Sequence, residues 1–350
     1  MTAKSGALYM TGATGWLGKR VVEAILRGLP DCPQVTDFSR IVAFALPSED
    51  TSALIAEGIE VRRGDIRDTE AVAEFVADAD GGTLMHLAGM IHPAGRTRDF
   101  YDINTAGTLN LYDAATKAGL RRAVVMSSNS PIGANPNPDH RFTEESPYNP
   151  YMGYGRSKRR MEEGLLERMA RPDACETVIL RAPWFYGPGQ PPRQTQFFSM
   201  IKKGMFPMFG GGHNRRSMGY TDNLAEGCLL AATRPEAAGE IFWIADEEPY
   251  KMIDIIETVG AVLREDFGID AKSPKVKVPG LVADMARVAD KSLQTIGLYH
   301  QQIHVLSEMN LTIACDISKA KTALGYDPKI ALREGMRRSI EWCLQNGQEI

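Results

Sequence analysis

Ala7-Leu8-Tyr9-Met10-Thr11-Gly12-Ala13-Thr14-Gly15-Trp16-Leu17-Gly18 carries a short apolar run into three spaced glycines. An amphipathic pattern follows through Leu17, Val21, Val22, Ile25 and Leu26, and it ends around Gly28-Leu29-Pro30. Strand, glycine turn and helix, in that order, form the setting a dinucleotide fingerprint requires. A glycine trio on its own is often only a tight turn; this context favours a cofactor loop. Glycine at 12 and 15 lets the backbone turn tightly and approach a pyrophosphate, while Gly18 lets the helix pack close to the strand. The diphosphate would sit on the helix N-terminus, where free N–H groups and the dipole favour an anion. Thr14, Trp16 and Leu17 complete the expected contact set.

Outward from this stretch the pattern repeats. Ile41–Leu46, Ile59–Asp65, Thr83–Gly89, Arg122–Ser128 and Thr177–Arg181 read as further strands, and residues 102–118 read as a helix starting near Asn104. Strands alternating with helices for 180 residues predict an α/β fold, a Rossmann doubly wound parallel sheet. The nucleotide-binding part is placed at 1–185. A smaller, mainly substrate-binding C-terminal part is placed at 186–350, with some elements free to return to the sheet. At the tip of the second strand stands Leu46, where a carboxylate would suit a ribose 2′-hydroxyl and an arginine a 2′-phosphate. Ser48 or Arg40 would serve a phosphate, whereas Glu49 and Asp50 point the other way. The missing carboxylate tilts the expected cofactor from NAD(H) towards NADP(H). Asp65 and Ile66 either cap the adenine or, equally, Asp65 N-caps a helix starting near Thr69. His86, inside an apolar run, reads as a packed core histidine.

Tyr154-Gly155-Arg156-Ser157-Lys158 is the candidate centre. Tyrosine and lysine four apart on a helix share one face, and the ammonium would favour the phenolate and lower the tyrosine pKa. The pair alone is commonly just a solvated helix face. Ser127 and Ser128 strengthen it, because they end an apolar strand at the carboxyl edge, where open α/β sheets place their ligands.

Composition excludes other classes. In 350 residues, 43% hydrophobic and 24% charged content is ordinary for a globular protein, and a net charge of −4 gives nucleic-acid binding no support. The scattered cysteines, Cys32, Cys175, Cys228, Cys315 and Cys343, form no disulfide or zinc pattern and fit a reducing compartment. The six histidines form no metal-like cluster. Met1 to Gly6 runs straight into a strand with no signal peptide, and no run approaches the roughly 20 apolar residues that span a bilayer. The expectation is a cytoplasmic enzyme, with peripheral contact at the inner membrane face as an option. Beyond residue 190 the chain is rich in Met and Phe. Leu281, Met285, Val288, Ala289, Leu293 and Ile296 trace a helical apolar stripe. It is read first as core-facing, with a lid or a membrane-surface contact as the alternative.

Together these motifs resemble the extended short-chain dehydrogenase/reductase family, which holds NAD(P)-dependent epimerases, dehydratases and 3β-hydroxysteroid dehydrogenases. Thr11 to Gly18, Gly64 to Asp68, His86 to Gly89, Asn104 with Gly107-Thr108, Ser127-Ser128, Tyr154 to Lys158, Arg181 to Gly187 and Leu324 to Pro328 carry the resemblance. It implies Tyr154 as general acid or base, Lys158 on the nicotinamide ribose, and Ser128 on the substrate oxygen. Leu87, Ala88, Gly89, Asn104, Ser127 and Pro183 join the implied cofactor contacts, and Asn129, Trp184 and Phe185 the substrate side. Asn129-Ser130-Pro131 departs from the family's commoner run there. By the same analogy residues 104–118 and 154–170 would pair across a homodimer.

For the small-molecule substrate two branches compete. Arg216 to Asn223 resembles the segment where sugar-nucleotide enzymes bind a diphosphate through arginine. The insertion from Val278 to Leu311 resembles the hydroxysteroid branch, and the bacterial ceramide reductases, which act on a 3-oxo sphingolipid, are the nearest resemblance. The expected activity is ketone reduction, or its reverse, on a bulky apolar molecule. An NDP-sugar 4-epimerase or dehydratase is the first rival, and a non-catalytic dinucleotide-binding subunit the second.

Overall fold

A computed structural model describes residues 6–31, 38–273 and 276–350; Cys32 and the first five residues lie outside them. Six strands alternate with helices over the first half: β1 (Leu8–Thr11), β2 (Ile41–Ala45), β3 (Glu60–Arg63), β4 (Thr83–His86), β5 (Arg122–Ser128) and β6 (Glu176–Ala182). Short strands follow: β7 (Trp184–Tyr186), β8 (Met208–Phe209), β9 (Arg215–Arg216), β10 (Met218–Tyr220) and β11 (Ile241–Trp243). The main sheet has seven strands in the order β11-β6-β5-β4-β1-β2-β3, every neighbouring pair parallel. This is the expected Rossmann architecture. Its order reverses between β1 and β4, which opens a crevice at their carboxyl ends. All seven residues of β5 are buried, as expected where helices cover both faces.

The helices are α1 (Trp16–Arg27), α2 (Ser52–Ala56), α3 (Thr69–Phe75), α4 (Thr108–Lys117), α5 (Met152–Met169) and α6 (Pro192–Lys202), then α7 (Thr221–Thr233) and α8 (Met252–Glu265). The last four are α9 (Gly280–Thr295), α10 (Gln301–Glu308), α11 (Ser318–Leu324) and α12 (Leu332–Gln345). Alternate residues of β1 point to opposite faces. Leu8 and Met10 join Leu17 and Val21 of α1 and Leu224 and Leu229 of α7, whereas Tyr9 joins Phe75, Leu111 and Met161. So α1 and α7 cover one face, and α3, α4 and α5 the other. A separate core beyond residue 185 gathers Phe197, Phe198, Ile201, Phe206, Ile255, Met336 and Ile340. Residues 221–243, though late in the sequence, belong to the sheet and its cover.

Three local expectations are corrected. Asp68, not Asp65, caps α3, accepting from the N–H groups of Glu70 and Ala71, because it stands one residue ahead of the helix. Arg40 lies at the amino end of β2, away from the crevice, and is spent on Asp78 and Tyr9. The stripe on α9 is not core-facing. Leu281, Met285, Val288 and Ile296 are 67%, 65%, 67% and 71% exposed, and the helix buries Ala283, Ala286 and Asp290 instead. Alanines let α10 approach, and Asp290 is satisfied by His304 Nδ1 at 2.7 Å.

Candidate active site

The glycine loop is built by steric necessity. Gly12 has φ 75°, and an added Cβ would stand 2.7 Å from Ala88 N. A Cβ on Gly18 would fall 1.9 Å from Gly12 O, so α1 packs against the turn with no room for a methyl group. Gly15 is the N-cap of α1, and its side makes no cap hydrogen bond; no acidic residue occupies the first turn. The helix N-terminus is thus left to an anion. Thr14 Oγ1 donates to Glu49 Oε1 at 3.0 Å, and the Leu46 N–H donates to the other Glu49 oxygen at 2.8 Å. Trp16 Nε1 donates to Pro188 O at 2.7 Å and its ring meets Phe185 edge-on at 6.4 Å. Leu17 is buried in the core beneath the loop.

A carboxylate, Glu49, thus stands beside the loop, four residues past the end of β2. Arg63, which the sequence did not single out, lies beside it at the tip of β3. It donates to the carbonyls of Leu46, Pro47 and Glu49 and to Thr51 Oγ1. Its position next to Gly64-Asp65 was the only signal. Asp65 holds Arg67, whose guanidinium lowers the carboxyl pKa, and Ile66 is buried against Gly107.

At the crevice, the Leu87 and Ala88 N–H groups donate to Thr11 O and Oγ1, at 3.2 and 3.3 Å. A Cβ on Gly89 would stand 3.3 Å from Asn104 Oδ1 and 3.6 Å from Lys158 Nζ, which brings these three residues together. Asn104 lies in a π-helical segment, Phe100–Gly107, and clamps both the N–H and the carbonyl of Met90. His86 is buried between the hydroxyls of Thr11 and Thr108, and burial drops its pKa to about 3, a neutral core histidine as expected.

Tyr154 and Lys158 sit on one face of α5, and the hydroxyl of Ser128 lies within hydrogen-bonding influence of the phenol. Burial pushes the Tyr154 pKa up to about 12; Ser128 pulls it down and the charge of Glu308 pushes it further up. The expected lowering of this pKa by Lys158 does not occur. Lys158 Nζ points instead to Met126 O at 2.9 Å, and its own pKa falls to about 8 through burial, partly opposed by Glu162. Burial thus keeps the phenol protonated at neutral pH. Ser128 Oγ lies 3.3 Å from Ser130 Oγ. Ser127, one residue along and on the other face of β5, is not beside the phenol. It donates to Glu162, which also holds Arg181 at 2.8 Å and Tyr148 at 2.9 Å in a buried network. Met152, two residues before Tyr154, has φ 51° and is the one non-glycine residue at positive φ among those described.

The surroundings of Tyr154 away from the glycine loop come from distant chain segments. Phe100 lies 5.9 Å from the Tyr154 ring and 5.4 Å from Tyr299. Gln294 Oε1 of α9 accepts the Gly153 N–H at 2.8 Å, and Ser307 of α10 meets Tyr151 Oη at 2.6 Å. The α9–α10 hairpin thus roofs the start of α5, which carries Tyr154; no sequence signal linked it to Tyr154. Pro183 is buried between β6 and β7, while Trp184 packs edge-on to Phe197 at 5.3 Å. Asn129 turns the chain, its carbonyl accepting from Ile132 and Gly133. Arg216 is buried; one guanidinium nitrogen donates to Glu308 O, and its Nε has no partner. Burial lowers its pKa, against the pull of Glu308.

The sequence model of the NAD dependent epimerase/dehydratase family matches residues 8–245. The protein y4nL of Sinorhizobium fredii is 57% identical, over 99% of this chain and 98% of its own. A 3beta-hydroxysteroid-dehydrogenase/decarboxylase isoform 2 of Arabidopsis thaliana is 24% identical across 95% of this chain and 61% of its own length. The crystal structure of DesIV, a dTDP-glucose 4,6-dehydratase from Streptomyces venezuelae solved with NAD, has the same fold, with TM-score 0.74 and 24% identity over 97% of each chain.

Proposed function

The chain belongs to the NAD dependent epimerase/dehydratase family, and from that premise we propose that it interconverts a ketone and a secondary alcohol on a bulky, apolar molecule such as a 3-oxo lipid or sterol. The observation that carries this reading is the geometry around Tyr154, whose ring lies 5.9 Å from Phe100, itself packed edge-on to Tyr299 at 5.4 Å, an apolar aromatic wall beside the phenol. The glycine cradle and the uncapped N-terminus of α1 fit a dinucleotide. Gly12, Thr14, Gly15, Trp16, Leu17 and Gly18 would hold its diphosphate, Asp65 and Ile66 its adenine, and Leu87 to Gly89, Asn104, the Ser127 backbone, Lys158 and Pro183 its nicotinamide half. Glu49 beside Thr14 favours a free ribose 2′-hydroxyl, hence NAD(H) over NADP(H). When bound, the nicotinamide supplies or accepts hydride.

Proton handling falls to the chain. Tyr154 Oη gives its proton to the carbonyl oxygen as charge develops there, and Ser128 Oγ donates a second hydrogen bond to the same oxygen. Lys158, buried and charged below about pH 8, stands near the loop that carries Gly89 as an ammonium able to give up a proton, through groups between the two, to restore the phenol once Tyr154 has lost its own. The aromatic wall and the α9–α10 hairpin exclude water, which strengthens each of these interactions.

One observation favours the sugar-nucleotide reading. Arg216 is a buried guanidinium with an unpartnered Nε and, among the described residues, no carboxylate in ion-pair contact, which suits a diphosphate. Absorbance of reduced nicotinamide separates the two. Purified protein with NADH should consume cofactor stoichiometrically with a long-chain 3-oxo lipid or a 3-ketosteroid, and Arg216→Met should leave that rate largely intact. No consumption with any ketone, together with interconversion of UDP-hexoses that Arg216→Met abolishes, would replace the lipid reading with the epimerase.

A further inference from the structure

We infer that the outward face of α9 is a docking surface for an anionic lipid membrane. Leu281, Met285, Val288 and Ile296 recur at helical spacing on one face and are each about two-thirds exposed, with Val282 40% exposed beside them. An exposed apolar ridge of this kind marks an interaction site, because single scattered apolar residues, not aligned ones, are the normal surface condition. The helix is not loosely placed. Its opposite face is committed to α10 through Ala283, Ala286 and the Asp290–His304 pair, and Gln294 ties it to the Gly153 N–H.

The charge around the ridge selects the partner. Residues 272–298 carry five basic and two acidic side chains within a chain of net charge −4. Asp290 is spent on buried His304, and Asp284 and Arg287 pair with each other at 3.3 Å, which leaves the four lysines of this stretch without an acid in it to offset them. Lys272 and Lys291 remain exposed, and Lys203 is exposed next to Lys272, whose N–H donates to Lys202 O. An apolar helical ridge that carries an exposed lysine, Lys291, and follows a lysine-rich segment is the arrangement that lies in the interface of an anionic bilayer. A second copy of the chain fits less well, since a two-fold contact sets each patch against itself and brings like charges together. Among the described residues no helix is long and apolar enough to cross a membrane, so contact would be at the surface. The same hairpin roofs the Tyr154 site, which places the membrane against the side from which an apolar molecule would enter. The inference goes beyond the reaction proposed above, and its test uses no substrate.

The full chain should co-sediment with phosphatidylcholine vesicles containing phosphatidylglycerol, more weakly as salt is raised, and not with phosphatidylcholine alone. The double variant Met285→Glu/Val288→Glu should lose roughly tenfold or more in vesicle affinity while its thermal midpoint and its nicotinamide binding stay at the wild-type values. Failure to bind anionic vesicles, or equal binding of wild type and variant, would overturn the inference. So would a concentration-dependent dimer in ultracentrifugation that the double variant dissolves, which would assign the ridge to a second copy.

Discussion

Two sides of Tyr154 are built by different means. The cofactor side is backbone and glycine, drawn from the first 20 residues and the ends of neighbouring strands, with distances that leave no space for a methyl group. The side proposed for the substrate is side chain and ring, drawn from Phe100, Gln294, Tyr299 and Ser307, and joined by hydrogen bonds that flexible groups can re-form. One side therefore has a single geometry, and the other can be resculpted without touching the sheet. That difference fits a family in which the nicotinamide chemistry is shared and substrates range from sterols to sugar nucleotides.

The largest effect tests the point where the two sides meet. Tyr154→Phe should cut ketone turnover by about 10²–10⁴-fold and leave NADH affinity, read by fluorescence titration, unchanged; a variant at wild-type rate removes Tyr154 from the chemistry. Next in size is Gly18→Ala, whose Cβ would meet Gly12 O at 1.9 Å. Urea unfolding should show a loss of about 1–3 kcal/mol, with NADH affinity falling alongside. A pH profile sharpens the role of Lys158. Because its folded pKa is depressed to about 8, the charged form is lost as pH rises through that value, whereas Tyr154 keeps its proton to about 12. Turnover in the reducing direction should fall above pH 8, and a flat profile there would show that the ammonium is not needed. Smallest should be Gly153→Ala. Its Cβ would stand 2.9 Å from Gln294 Oε1, the end of a flexible side chain, and 3.1 Å from the Phe100 ring. Stability should stay within about 1 kcal/mol of wild type; a loss equal to that of Gly18→Ala would erase the contrast between the two sides.

What sequence reading reached follows the same division. The glycine turn, the parallel sheet and the Tyr154–Lys158 face depend on residues close together in the chain, where spacing translates directly into geometry. Phe100 meets Tyr154, and Tyr299 and Gln294 meet Phe100 and Gly153, only through the tertiary fold, and nothing in their spacing announces it. The α9 stripe shows a related limit. Periodicity reveals that apolar residues share a face but not which way that face points, and here Ala283, Ala286 and Asp290 took the interior. Glu49 and Asp50 are set against Arg40 and Ser48, and the lean to NADP(H) rests on the missing carboxylate at the strand tip itself. The turn after Ala45 folds back, so that a residue past the tip reaches Thr14 while Arg40 sits at the opposite end of the strand.

The seventh strand also bears on how the chain comes off the ribosome. Ile241–Trp243 covers the outer edge of β6, and α7 covers α1, so both depend on residues made long after the glycine loop and Tyr154. A nascent chain ending near residue 190 would already carry Tyr154, Lys158 and the loop. It would also present an open strand edge and an uncovered apolar helix face, the features that invite pairing with other chains. Productive synthesis thus calls for shielding of that edge until β11 arrives, and a truncated Rossmann half is expected to be insoluble on its own.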